Sequence, residues 1–317
     1  MNFSDRIRGA IFGMALGDAL GLGTEFMTVD EIKFHYPEGL RHFSQIIRDA
    51  HRCLWKRGDW TNDTEINHIL IRSIIERNCF DVRHFAQQLK AHHSEDAADM
   101  PDFYNDLLAR PEWEEEPLET AHHYWRDNKL WKARNEALPR AIITGILGFP
   151  RLIGNTLDAI SITHDDTRCT CSAVIIASMA DSILRTGELC SYRELRDLGH
   201  THDARILHAL ERAYNGEIHD LELDDPDNLW QTRKCMAAGL WPLWHCSSAE
   251  ETLHTIVDAG GDADTNSALA MGLAGLRYGF DALPEEVNNL PRYKEVEEIA
   301  DSFVKFMERY EAEKQNN

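Results

Sequence analysis

Three side-chain oxygens fall within four residues at Asp262, Asp264 and Thr265, inside the segment Gly260-Gly261-Asp262-Ala263-Asp264-Thr265-Asn266. Carboxylate and hydroxyl oxygens at that density are hard ligands, suited to Mg²⁺, Mn²⁺ or Ca²⁺ and not to Zn²⁺. The two glycines make a turn, and the Ala/Gly-rich run that follows reads as a helix. The oxygens therefore stand at a helix N-terminus, whose partial positive charge favours ionised carboxylates. Those carboxylates can then bridge to a cation. One N-cap requires one such residue, and three within four exceed what capping needs.

A second cluster has the same construction. In Gly58-Asp59-Trp60-Thr61-Asn62-Asp63-Thr64-Glu65 a glycine turn precedes oxygen side chains, and apolar residues at helical spacing follow: Ile66, Ile69, Leu70 and Ile74. Asp63 or Thr64 is expected to cap that helix, with Thr61, Asn62 and Asp63 projecting from the turn before it. One shared metal site explains both clusters together. At the start of the chain, Gly9, Gly13 and Gly17 recur every fourth residue and give a smooth helix face that another backbone can approach closely. In a bilayer this spacing reads as a dimerisation motif. Arg8 and Asp18 interrupt the apolar run, so tight packing in a helical core is expected instead. Glu25 follows just after the glycines, placed to swing into a site.

In this order, GAIFGMALGDALG with Glu25, then WTNDTE, THDDTRC and GGDADTN, the chain resembles the ADP-ribosylglycohydrolase family over nearly its whole length. That family includes the dinitrogenase-reductase-activating glycohydrolases. The resemblance implies an all-α fold, a single compact orthogonal multi-helix domain over 1–317, and a binuclear site of two Mg²⁺ (or Mn²⁺) ions. It implies a hydrolase that cleaves the N- or O-glycosidic bond between ADP-ribose and a modified side chain, foremost ADP-ribosyl-arginine. The partner is then an ADP-ribose-containing substrate, which extends to an ADP-ribosylated protein.

Carried over residue by residue, the family's metal ligands fall on Thr61, Asp63, Asp262, Asp264 and Thr265. Glu25 and Asp63 become the catalytic carboxylates, which stabilise charge at the anomeric carbon and take a proton from water. Asn62, Asn135, Arg140, His164, Gly260 and Gly261 fall at substrate-contacting positions. By chemistry alone His164 is equally a base, a ligand or a hydrogen-bonding group near a helix cap; the resemblance assigns it to substrate, with Asp165 and Asp166 in the first turn of the next helix. Two positions depart from the family's pattern. Asn62 stands where relatives usually carry Asp, which removes one negative charge from the metal site. In Asn135-Glu136-Ala137-Leu138-Pro139-Arg140, relatives tend to read Asn-Gly-(small)-(apolar)-Met-Arg, a turn that helps hold the distal part of ADP-ribose. Asn135 and Arg140 survive there. Two other readings follow: a hydrolase of another ribosylated small molecule, from the altered turn, and an ADP-ribose-binding pseudoenzyme, from Asn62.

The chain has 317 residues, 43% hydrophobic, enough for a large core. Its formal net charge of −21 leaves no basic patch of the kind that nucleic-acid phosphates require, so no nucleic-acid partner is expected. The surplus acid concentrates at 112–116, 220–227 and 295–313. No apolar run reaches the roughly 18 residues of a membrane span; the longest lies around 173–180, and no membrane partner is expected. MNFSDRIRG lacks a signal-peptide pattern. Seven cysteines without a CxxC spacing indicate reduced thiols and a cytoplasmic location, with Cys169 and Cys171 in packed core.

Helical periodicity dominates the chain and alternating runs are scarce. Helices are expected at 4–21, 63–77, 82–93, 117–131, 137–149, 168–186, 204–214, 230–242, 249–258, 265–278 and 294–312, with Pro and Gly marking the breaks. The segment 95–135, rich in Trp, His and acid, reads as a surface helical hairpin with buried aromatics. The alternative is a lid in which Trp113, Tyr124 or Trp125 stacks on a base.

Overall fold

A computed structural model describes residues 2–95, 101–128, 133–199 and 203–315. Among the described residues the chain forms fifteen α-helices and no strand; one isolated antiparallel bridge joins Arg134 to Gln231. In chain order the helices are α1 (Phe3–Gly21), α2 (Val29–His35), α3 (Asn62–Arg77), α4 (Val82–Glu95), α5 (Asp102–Leu108), α6 (Pro117–Asn128), α7 (Arg140–Leu147), α8 (Leu152–Ser161), α9 (Thr167–Thr186), α10 (Tyr192–Gly199), α11 (Ala204–Asn215), α12 (Thr232–His245), α13 (Ala249–Ala259), α14 (Ala263–Tyr278) and α15 (Tyr293–Gln315). The all-α expectation therefore holds. The end of the expected 117–131 helix lies outside the described residues beyond position 128.

The glycine stripe of α1 packs against α14. A Cβ added at Gly9, Gly13, Gly17 or Gly21 would lie 2.2–2.3 Å from the carbonyl oxygen of Gly275, Met271, Ser267 or Ala263 respectively. The two helices are therefore antiparallel, in four-by-four register and nearly in backbone contact. Only residues without a side chain permit this approach. It places the C-terminal end of α1, which leads to Glu25, beside the N-terminus of α14, which carries Asp264 and Thr265. Both helices are buried along most of their length, which explains why their sequences are apolar or small on nearly every face.

Helices α2, α5, α8 and α10 have no counterpart in the sequence reading. They run seven to ten residues, too short for apolar periodicity to stand out from loop sequence. The break read at Pro150 conceals α8, which starts two residues later. Two capping assignments also change. Thr61, not Asp63 or Thr64, caps α3, its side chain accepting from Asp63 N. Asp166 is the N-cap of α9, accepting from Arg168 N, while Asp165 pairs with His122 at 2.6 Å.

Helix α9 contains the longest apolar run. By length and composition it could cross a membrane, but 61% of its apolar window is buried inside the fold, as expected of a core helix. Cys169 and Cys171 are buried on it as free thiols. Trp113, Tyr124 and Trp125 are core residues: the Trp113 indole donates to Ile162 O at 3.1 Å and that of Trp125 to Thr163 O. Their rings are committed to packing, which supports the helical-hairpin reading over a lid of stacking rings.

Candidate functional site

The two oxygen clusters meet. Thr265 Oγ1 donates to Asp63 Oδ2 at 2.7 Å, joining the first turns of α3 and α14. One carboxylate oxygen from each of Glu25, Asp262 and Asp264 lies within 4.8 Å of the other two, and all three residues are buried. Asp262 occupies the N-cap position of α14 but makes no side-chain cap bond. Its Oδ2 accepts from Asn135 Nδ2 at 2.5 Å, so its carboxylate serves the site and not the helix end.

Glu25 reaches this centre because of the paired glycines. Gly260 and Gly261 have φ of 68° and 73°, a left-handed backbone that favours glycine. A Cβ on Gly261 would stand 2.0 Å from Leu223 O, and one on Gly260 2.3 Å from Met27 O. Close approach lets Phe26 N donate to Gly261 O at 2.7 Å and Gly261 N to Met27 O at 3.0 Å. The backbone after Glu25 is clamped to the turn that carries Asp262. Gly260 and Gly261 thus position the site through the backbone. His51 Nε2 lies 2.6 Å from Glu25 Oε2, and Arg52 donates to the Glu25 carbonyl.

Asp18 organises the other side. It is fully buried and accepts from Thr61 N at 2.9 Å, Thr64 N at 2.9 Å and Thr64 Oγ1 at 2.6 Å. It therefore satisfies orphan N–H groups of α3 from a different helix. The sequence reading noted Asp18 only as an interruption of an apolar run. That interruption was the available signal, since a carboxylate on an otherwise buried helix must find buried donors.

Electrostatics define what the centre lacks. Burial, with repulsion from Asp18 next, pushes Asp63 well above the usual carboxylate range. Burial and then Glu25 raise Asp264 likewise and bring Asp262 to about 7. Burial lifts Asp18 to about 6. Asp63 Oδ1 and Asp264 Oδ1 are buried without a hydrogen-bond partner. Several mutually repelling buried carboxylates with orphaned oxygens are the donor set a hard divalent cation completes. Glu25, Asp63, Asp262, Asp264 and the Thr61 and Thr265 hydroxyls could hold one. Asn62, half-buried, opens α3 beside them. Glu65, His68 and Glu295 also come within 4.8 Å of one another. Arg72 and Arg292 already neutralise those two glutamates, so that group is an ion-pair network.

The turn at 134–140 divides. Asn135 faces the site through Asp262. Arg140 does not: it is fully buried and donates to Ala159 O (3.1 Å), Thr163 Oγ1 (2.8 Å) and Tyr104 OH (2.6 Å). These bonds commit its two terminal nitrogens to the fold and leave Nε buried without a partner, so the structure does not bring Arg140 to the carboxylate centre. Glu136, which stands where relatives tend to carry Gly, is buried between Arg134 and His164. Burial alone would raise its pKa, but the hydrogen bond from His164 and the Arg134 guanidinium outweigh it and hold the carboxyl at about 2. His164 is itself fully buried, and burial lowers its pKa. It is then neutral, donating from Nε2 to Glu136 at 3.2 Å and accepting at Nδ1 from Thr163 Oγ1 at 2.9 Å. His164 packs among Phe103, Tyr104 and Trp125.

An all-helical scaffold encloses a buried carboxylate centre, and comparison with known proteins gives the family. Residues 1–315 match the ADP-ribosylglycohydrolase family. The chain is 29% identical over 285 residues to the ADP-ribosyl-dinitrogen reductase glycohydrolase of Rhodospirillum rubrum, covering 88% of each chain. It is 23% identical over 283 residues to the ADP-ribosylarginine hydrolase Tri1 of Serratia proteamaculans, covering 89% of this chain and 74% of that one. In fold it is similar to a solved ADP-ribosylglycohydrolase-related protein complex, with TM-score 0.71, 22% identity, and 96% and 99% of the two chains covered. The chain belongs to the ADP-ribosylglycohydrolase family and is a hydrolase.

Proposed function

We propose that this protein is a divalent-cation-dependent hydrolase that releases ADP-ribose from a modified arginine side chain, working in the cytoplasm with two Mg²⁺ or Mn²⁺ ions. The observation that carries the proposal is the convergence of Glu25, Asp63, Asp262 and Asp264 in one buried centre. The relatives named for ADP-ribosylarginine and ADP-ribosyl-dinitrogen reductase support the substrate class. Seven free thiols support the reducing compartment.

In this reading Thr61, Asp63, Asp262, Asp264 and Thr265 would hold the cations, which would supply Lewis-acid polarisation and positive charge to the site. Breaking the C1″–N bond leaves positive charge on the anomeric carbon and ring oxygen, and the site carboxylates stabilise it electrostatically. Glu25, oriented by His51, takes a proton from the attacking water as its oxygen bonds to the anomeric carbon. The bond's electron pair leaves with the guanidine nitrogen, which takes up a proton from solvent while Glu25 returns its proton to solvent, so that one water is consumed. Asn135 keeps Asp262 aligned, and Asn62 contacts substrate or cation.

The deciding experiment incubates the protein with ADP-ribosyl-arginine, ADP-ribosyl-serine and small-molecule ADP-ribosides, after EDTA and after Mg²⁺ or Mn²⁺ addition. Cation-dependent release from arginine is expected. Release only from small molecules would instead support the second reading, a hydrolase of another ribosylated small molecule. The observation favouring that reading is the ionised Glu136 in the turn expected to hold the distal half of ADP-ribose. Binding of ADP-ribose without any turnover would indicate a pseudoenzyme.

A further inference from the structure

Helix α8 has two unlike faces. Leu152, Asn155, Thr156, Ala159 and Ile160 are buried, and the helix packs on α7 and α9. On the outer face Ile153 and Leu157 are 44% and 38% exposed, and Phe149, just ahead of the helix, is 61% exposed. Ile153 and Leu157 are four residues apart and share one face of the helix. Phe149 extends the stripe at its N-terminal end. Among the described residues seven large apolar side chains are exposed, and no other helix exposes more than one of them. A single exposed apolar residue is ordinary, whereas a contiguous stripe marks a surface that another molecule covers.

Two charges flank the stripe. Arg151, at the N-cap position of α8, is exposed, and Asp158 is half-buried. Burial lifts the Asp158 carboxyl above its usual range, and the charge of Arg151 opposes this from a distance. Among the described residues neither side chain makes an ion pair or a hydrogen bond, so both keep a charge to offer a partner. Seven residues are about two helical turns, so Arg151 and Asp158 stand on the same edge of α8, about 10 Å apart along its axis. A second α8, laid antiparallel on the first by a two-fold axis, sets its Asp158 opposite this Arg151 and its Arg151 opposite this Asp158. The apolar side chains then meet between the two contacts. The two charges of the face also cancel, although the chain as a whole, at −21, repels its own copies.

We propose that the outer face of α8 is a self-complementary docking surface for a second copy of this chain, paired antiparallel through two reciprocal Arg151–Asp158 contacts. Such an isologous pair closes on itself as a dimer. The stripe is short beside the roughly 800 Å² per partner of a standard interface. The dimer is therefore reversible and forms at micromolar concentration or above.

The test is sedimentation equilibrium of the full chain over a concentration series, with every variant required to melt like wild type. Wild type should pass from monomer to dimer. Leu157→Asp and Ile153→Asp should leave it monomeric throughout. Arg151→Asp and Asp158→Arg each bring like charges together at both contacts, and each should weaken association by roughly 10-fold or more. Combined in one chain, the two reversals should restore the affinity to within about 3-fold of wild type, because the pairs re-form with their signs exchanged. If Asp158→Arg fails to fold, the two Asp variants at the exposed apolar positions decide. A wild type that stays monomeric at every concentration overturns the proposal. So does a dimer that survives Leu157→Asp and Ile153→Asp, or a folded double reversal that remains as weak as the single ones.

Discussion

Thr265 Oγ1 and Asp63 Oδ2 are 2.7 Å apart although 202 positions separate the two residues in sequence. The bond uses one Asp63 oxygen and leaves Oδ1 buried and unpartnered. Each cluster therefore completes the other, and the orphaned oxygen is where a cation has most to gain.

Asp264 tests the cation directly. Asp264→Ala should abolish Mg²⁺ and Mn²⁺ binding in calorimetry, and the near-isosteric Asp264→Asn should erase the cation-induced rise in melting temperature. Because burial, Glu25 and Asp262 all oppose its charge, Asp264→Asn should also raise the melting temperature of the cation-free protein. Unchanged titrations would remove Asp264 from the site.

Asn62→Asp adds a carboxylate beside the centre. If Asn62 marks a weakened second cation position, the change should tighten that cation by on the order of 1–4 kcal/mol before desolvation. Turnover of ADP-ribosyl-arginine should then hold or rise. If Asn62 donates a hydrogen bond to substrate, affinity for the cation rises while turnover falls, because a carboxylate cannot donate. No change in cation affinity would place Asn62 outside the coordination sphere.

Stability should depend on pH with a defined sign. Burial raises Asp18 from 3.8 to about 6 and Asp262 from 3.8 to about 7 in the folded protein. The folded state binds these protons more tightly, so the stabilisation is full below the unfolded value and is lost as pH rises through about 6 and about 7. In EDTA the melting temperature should fall across that window. Saturating Mg²⁺ should flatten the fall, since a bound cation favours the ionised forms. A flat profile in EDTA would contradict the raised values.

The α1–α14 contact sets a packing limit. A Cβ at Gly17 would lie 2.2 Å from Ser267 O, and backbone cannot yield as a flexible side chain does. Gly17→Ala should cost about 1–3 kcal/mol or more in urea denaturation, and it should weaken cation binding by moving the α3 turn that Asp18 holds away from the N-terminus of α14. The exposed Gly154, with nothing within 4 Å, serves as the control: Gly154→Ala should be neutral or stabilising.

Arg140 should behave as a structural residue. Arg140→Met removes three hydrogen bonds from a buried guanidinium. At roughly 1.5–3 kcal/mol for each bond to a charged group, the loss should exceed about 3 kcal/mol in chemical denaturation. At a temperature where the variant remains folded, KM should stay near the wild-type value; a raised KM without destabilisation would return Arg140 to the substrate.

Sequence alone was enough for the helical class, for the density of side-chain oxygens at Asp63, Asp262, Asp264 and Thr265, and for the packing role of the glycine stripe. Each of these is a local property: periodicity, oxygen density beside a turn, or small residues at fixed intervals. Tertiary structure decided what depends on direction and burial. Asp18 joined the site because α1 carries it, fully buried, to the open N–H groups of α3. His51 and Glu136 became site residues through contacts that no spacing encodes. Arg140, 19 to 36 residues from its hydrogen-bond partners in sequence, is drawn inward by Ala159, Thr163 and Tyr104. The charge state of the centre was likewise invisible beforehand. The same aspartates in water would simply ionise; it is burial beside one another that makes their ionisation costly and gives a cation its place.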